Sequence, residues 1–147
     1  MKYALLLLFF FIYSGTYAQK EDYAWLIDIN RDGNLPAQGL LYDWSLDNGG
    51  PIELDMPYGI FANNASICDN DGNLLFWSNG CAVINRDQEV MPNGDTLNWD
   101  AYREVIGWSD CERGYPGTQN IKILPDPAYE DGYYIIHKAR KYNGQFE

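Results

Sequence analysis

Apolar and polar positions alternate most regularly between Asn63 and Asn93, in the run NNASICDNDGNLLFWSNGCAVINRDQEVMPN. The pattern predicts four short strands joined by three tight turns. Asp71-Gly72 and Asn79-Gly80 are the pairs that a two-residue hairpin turn of type I′ requires, because both central positions need positive φ. Turns centred there set Ile67 opposite Phe76 and Phe76 opposite Val83, and a third turn on Arg86-Asp87 sets Val83 against Val90. One apolar row, Ile67–Phe76–Val83–Val90, then crosses all four strands; a slip of one residue would scatter it over both faces. Leu74-Leu75-Phe76-Trp77 is apolar on both sides, so both faces of the sheet are expected to be covered. A small four-stranded sheet covered on both faces has the form of a β-propeller blade; an isolated meander with one wet face is the plainer alternative.

The remaining pattern is also strand-like. Tyr23 to Ile27 reads as a short strand, Leu40–Ser45 and Ile52–Leu54 as a hairpin around Asp47-Asn48-Gly49-Gly50, and Gln119–Leu124 and Gly132–Lys138 as two more strands. Sustained i, i+3, i+4 apolar spacing is missing from residues 19–147. Ala101 to Trp108 is the one helical candidate, and it is worth one or two turns. The fold class expected is therefore all-β, an antiparallel meander resembling the first blades of a propeller. Asn143-Gly144 signals a further hairpin with three residues after it, and Tyr134–Lys138 is too apolar for an edge strand. The natural protein is thus expected to continue beyond residue 147, with 19–147 the first portion of its domain.

Residues 1–18 belong to targeting. Lys2 supplies a positive start, Ala4 to Tyr13 an apolar run too short to span a bilayer, and Thr16-Tyr17-Ala18 a small-residue cleavage site, which together form a secretory signal peptide. The product is expected to be secreted or displayed at the cell surface, without membrane insertion once the leader is removed. The chain carries 21 acids against 10 bases, a net charge of −11, and loss of Lys2 makes it one unit more acidic. Such a surface repels phosphate backbones, which argues against a nucleic-acid partner; solubility in export accounts for the same acidity.

Three cysteines in an exported chain allow at most one internal disulfide. In the expected register Cys68 lies opposite Leu75, on the order of 20 Å from Cys81, whereas a bridge spans ~5.5 Å between Cα atoms. Cys81 is more readily met by Cys111 on the long connection that follows, leaving Cys68 as a buried small hydrophobe.

That connection, Asn93 to Gly117, is too long for an idle hairpin loop. It carries Trp99, Tyr102, Trp108 and Tyr115 with Asp100, Glu104, Asp110 and Glu112 nearby. Aromatics beside carboxylates can stack against and hydrogen-bond a sugar or peptide, and they can equally pack the loop onto its own sheet. Asp28-Ile29-Asn30-Arg31-Asp32-Gly33 has the opening of a calcium loop, but Gly39 stands where the twelfth-position carboxylate belongs. A polar turn explains it better, and the hairpin explains Asp69–Asn73. No metal or other cofactor is expected. His137, the only histidine, sits in an apolar strand, and no nucleophile elbow, phosphate loop, zinc-helix motif or C-x-x-C is present.

The run N-A-S-I-C-D-N-D-G-N-L-L-F-W-S-N-G-C, then V-M-P-N-G-D, T-Q-N-I-K-I-L-P-D-P and Y-Y-I-I-H-K, resembles the N-terminal region of a family of exported bacterial β-propeller-like proteins. Members usually end in a type IX secretion sorting domain, and many carry gliding-motility-associated C-terminal modules. The resemblance covers Leu40 to Lys138 and implies a destination and a fold rather than a reaction. Asp95-Thr96-Leu97 is also similar to the short O-glycosylation acceptor of such bacteria. The function expected is a non-catalytic cell-surface binding or adhesion module for a glycan or protein ligand. The alternative is the N-terminal part of a secreted polysaccharide- or protein-degrading hydrolase whose catalytic residues lie downstream.

Overall fold

The computed structural model describes residues 20–29, 37–46, 50–61, 63–98 and 110–139. These contain eight strands in three small antiparallel sheets and no helix. The first sheet is the meander β1 (Ala24–Asp28), β2 (Ala37–Asp43) and β3 (Pro51–Met56); the second is β4 (Ala65–Cys68), β5 (Leu74–Ser78) and β6 (Val83–Asn85); the third is the hairpin β7 (Ile121–Pro125) and β8 (Tyr133–His137). The helical turn expected at Ala101–Trp108, the hairpin expected at Asn143-Gly144 and the expected leader lie outside the described residues.

In the first sheet the period-2 pattern of β1 sends Ala24 and Leu26 inward and Trp25 and Ile27 out to solvent. Leu26 pairs with Leu41 and Ala37 with Met56, so the inner face is aliphatic. Gly39 sits mid-strand because Met56 lies across it: a Cβ there would fall 2.7 Å from the Met56 sulfur.

The second sheet keeps the expected pairing of Ile67 with Phe76 and departs from expectation at each turn. The first turn is built on Asp69. Its Oδ1 accepts the N–H groups of Asp71 and Asn73 at 2.9 Å each, and Gly72 (φ 93°) donates back to the Asp69 carbonyl at 3.0 Å. A bulge between Ile67 and Cys68 results, and it places Cys68 opposite Leu74 instead of Leu75.

The second turn is longer than two residues. Asn79 turns its side chain inward and its Oδ1 takes the N–H groups of Cys81 and Ala82, so residues 79–82 all belong to the loop. Phe76 therefore faces Asn85, and Val83 faces Ser78. A shift of two residues preserves the face, and Val83 still packs with Ile67 and Phe76. At the third turn Gln88 adopts φ 65°, which adds a residue to the connection. Ile84, not Val83, bridges Val90, and the expected fourth strand shrinks to that single bridge. The one-residue slip brings Met91 to the Ile67–Phe76–Val83 cluster in the place expected for Val90.

The second sheet is covered on both faces, with the first and third on either side. Trp77, Ile84 and Cys68 pack with Ala24, Leu26, Ala37 and Met56 of the first sheet. Ile67, Phe76 and Val83 pack with Ile123, Ile135 and Tyr133 of the third, and the Phe76 and Tyr133 rings meet edge to face at 5.3 Å. Polar contacts tie the layers together. Asn64 Nδ2 donates to the Leu26 carbonyl at 2.6 Å, Ser66 Oγ to the Ala24 carbonyl at 2.5 Å, and the Cys68 N–H to the Glu21 carbonyl at 2.8 Å. On the other side the Asn120 N–H donates to Asn63 Oδ1 at 2.8 Å.

Gly80 is the tightest point of the second turn. Its φ is +80°, and a Cβ there would lie 2.7 Å from Asn63 Nδ2 and 3.0 Å from Tyr115 Cβ. Gly80→Ala combines left-handed backbone strain with a clash against buried groups, so it should lower unfolding stability by about 1–3 kcal/mol. Urea denaturation followed by tryptophan fluorescence checks this; an unchanged midpoint would mean the turn has another conformation.

Candidate functional site

The long connection after β6 returns to one corner of the second sheet, and Asn79 is the reason. Its side chain is fully buried and uses all of its hydrogen-bonding capacity. Nδ2 donates to the carbonyls of Gly59 at 3.1 Å and Cys111 at 3.0 Å, while Oδ1 accepts from Cys81 at 3.0 Å and Ala82 at 2.9 Å. The Asn79 carbonyl in turn accepts the Tyr115 N–H at 2.9 Å. One amide thus joins the turn, the Gly59 segment and the returning arm of the loop.

Both arms of the loop end at this corner. On the outgoing arm the Leu97 N–H donates to the Cys81 carbonyl at 2.7 Å, and Asn98 Nδ2 to the Gly80 carbonyl at 3.0 Å. On the returning arm Cys81 and Cys111 form a disulfide with Cα atoms 5.3 Å apart, and the Gly59 N–H donates to the Glu112 carbonyl at 2.7 Å. Gly114 (φ 73°) passes so close to the Asn79 carbonyl that a Cβ would lie 2.7 Å from its oxygen.

Of the four aromatics singled out for ligand contact, Trp99, Tyr102 and Trp108 lie outside the described residues. Tyr115 is fully buried. It packs beneath Gly80 and belongs to the anchorage of the loop, which is a correction to its place among ligand-facing side chains. The sequence also gave no sign of the role of Asn79, since an Asn-Gly pair signals a turn whether its amide points outward or inward. The exposed aromatics of β1 and its neighbourhood, Trp25 and Trp44, were legible only as strand residues.

The other chemistry-bearing groups are occupied by structure. Cys68 is a free, buried thiol, and burial pushes its pKa up, so it is a packing residue and a poor nucleophile. The Asp28 carboxylate accepts the Ile60 N–H at 2.8 Å; Asn30 to Gly33 of the calcium-like run lie outside the described residues. Asp69 is held below the usual carboxylate range first by the Asn73 amide and then by backbone N–H groups. Among the described residues no three His, Cys, Asp or Glu side chains are grouped to hold a metal ion. His137 is exposed at the end of β8, opposite Ile121. No protein-family model, curated protein or solved structure matches this chain.

Non-reducing peptide mapping should link Cys81 to Cys111, with Cys68 alkylated only after denaturation. Cys81→Ser/Cys111→Ser should cost about 2–4 kcal/mol of unfolding free energy in urea. Asn79→Ala leaves several buried backbone groups without partners and should cost at least ~2 kcal/mol in the same assay.

Proposed function

We propose that this protein is an exported, non-catalytic binding module that acts at the cell surface or in the surrounding medium and takes a glycan or protein ligand. The observation that carries the proposal is the pinning of both arms of the Asn93–Gly117 connection to one buried corner of the second sheet. Leu97 and Cys111 both meet Cys81, and the sequence between them supplies Trp99, Tyr102 and Trp108 with acidic neighbours. A loop of this composition on a rigid sheet scaffold is a common way to present a recognition surface.

Supporting features concern architecture and compartment. Consecutive antiparallel sheets stacked face to face are the packing mode of a β-propeller, and the resemblance to exported propeller-like proteins points the same way. A disulfide suits an oxidising compartment, as does a leader ending at Ala18. Export by the type IX route belongs to the same proposal and rests on the resemblance.

Glycan-array binding by the exported protein should be lost in Trp99→Ala/Trp108→Ala while the thermal melt stays unchanged. Binding that survives both substitutions would move the site off the loop, and turnover of a polysaccharide by the purified protein would overturn the non-catalytic reading.

A further inference from the structure

The buried corner that anchors the long connection is built on an Asn-Gly pair, and we propose that this pair is a site of spontaneous deamidation that the fold keeps silent. The reaction runs at Asn79 only when the corner opens, and its product then holds the corner open. This goes beyond the ligand-binding proposal and does not depend on what the 99–109 stretch contacts.

The chemistry is intrinsic to the pair. In a mobile chain the Gly80 backbone nitrogen attacks the Asn79 Cγ. A new N–Cγ bond closes a succinimide ring, the Cγ–Nδ2 bond breaks, and Nδ2 takes up a proton to replace the one that the attacking nitrogen gives to solvent, leaving as ammonia. Water then opens the ring at either carbonyl, which yields aspartate or isoaspartate. Glycine in second place favours closure, because no Cβ crowds the nitrogen or restricts its backbone.

In the folded corner the reacting groups are committed elsewhere. The Gly80 N–H, which must lose its proton to attack, donates to Ser78 Oγ at 3.1 Å. The departing Nδ2 is seated on the carbonyls of Gly59 and Cys111. Ser78 and Asn79 are both fully buried, so the base and the water that the two steps need are kept out. The N–H groups of Cys81 and Ala82 on Oδ1 act the other way, since donors on that oxygen stabilise the charge that attack at Cγ develops. The closed corner thus restrains nucleophile and leaving group around a polarised carbon, and its silence comes from closure.

The product cannot restore that arrangement. Aspartate or isoaspartate lacks Nδ2, so a carboxylate oxygen faces the Gly59 and Cys111 carbonyls where a donor stood, and buried acceptors left facing one another are costly. Isoaspartate also inserts the side-chain carbon into the main chain between Ser78 and Gly80. An opening that was reversible becomes permanent. The conversion rate in the native protein is therefore the open-state rate multiplied by the fraction of time the corner is open. Asn93-Gly94 supplies an internal reference: Asn93 is exposed, and the Gly94 N–H is held by the Met91 carbonyl of its own turn at 2.8 Å.

Incubation of the full chain at mildly alkaline pH, with peptide mapping by mass spectrometry at intervals, tests this. Conversion at Asn79 should be about a hundredfold slower in the folded protein than in concentrated urea, equivalent to ~2.8 kcal/mol of protection. Cys81→Ser/Cys111→Ser should speed it about tenfold, equivalent to 1.4 kcal/mol of easier opening, while Asn93 keeps its wild-type rate. Should that variant melt below the incubation temperature, Ser78→Ala takes its place: it frees the Gly80 N–H with the disulfide intact and should accelerate Asn79 alone. Converted protein, separated by ion exchange, should show faster amide hydrogen exchange at Gly59 and Tyr115 than unconverted protein. Equal Asn79 rates in folded and unfolded chains, a folded variant that leaves Asn79 unchanged or speeds Asn93 equally, or converted protein with undiminished protection would each overturn the proposal.

Discussion

The requirement that β5 be covered on both sides governs this fold. Phe76 and Trp77 are adjacent, both buried, and point to opposite faces. Burying a large side chain is worth roughly 1.5–3 kcal/mol, and a three-stranded sheet cannot supply that on two faces from its own residues. The first sheet covers Trp77 and the third covers Phe76. Neither flanking sheet gains comparable cover: the outer rows of each remain half or more exposed at Trp25, Trp44, Tyr134 and Ile136. The molecule is thus organised around a middle layer, with hydrophobic burial falling off away from it.

Asn79 resolves a second constraint, which is how to end the middle layer and begin a long connection at one point. A buried amide left partly unsatisfied would be costly. Here four partners drawn from three chain segments satisfy it. The same corner holds the disulfide, so the covalent and the hydrogen-bonded restraints act on the same residues. Hydrogen bonds that share one buried group tend to form or fail as a set, which makes the loop anchorage a property of the corner rather than of any one bond.

Element type and approximate position were legible in the sequence because strand alternation is set locally. Ala24–Asp28, Ile121–Pro125 and Tyr133–His137 all emerge within a few residues of where the pattern put them. Pairing was less legible. The Ile67–Phe76 pair follows from the first turn, but later pairs depend on whether a turn residue uses its side chain. Asp69, Asn79 and Gln88 each add to their connection through a side-chain acceptor or a left-handed backbone, and none of that is visible in an Asp-Gly or Asn-Gly pair. The Cys81–Cys111 partnership was legible because the distance argument eliminated Cys68–Cys81. That elimination outlived its own register error, since moving Cys68 from Leu75 to Leu74 leaves it far from the far end of β5. The burial of Tyr115 was not legible, because it depends on a glycine at position 80 leaving room for the Tyr115 Cβ.

The contacts between β4 and the first sheet carry a mechanical consequence. The side chains of Asn64, just before β4, and Ser66 within it, with the backbone N–H of Cys68 at its end, meet the carbonyls of Leu26, Ala24 and Glu21. Greasy layers held by side-chain burial alone can glide over one another at little expense, since any sideways offset exchanges one oily neighbour for the next. Three donors seated on fixed carbonyls oppose that glide: an offset of a single pleat breaks all three bonds together. Under a pull directed along the strands, these two layers yield in one abrupt step and not by gradual creep.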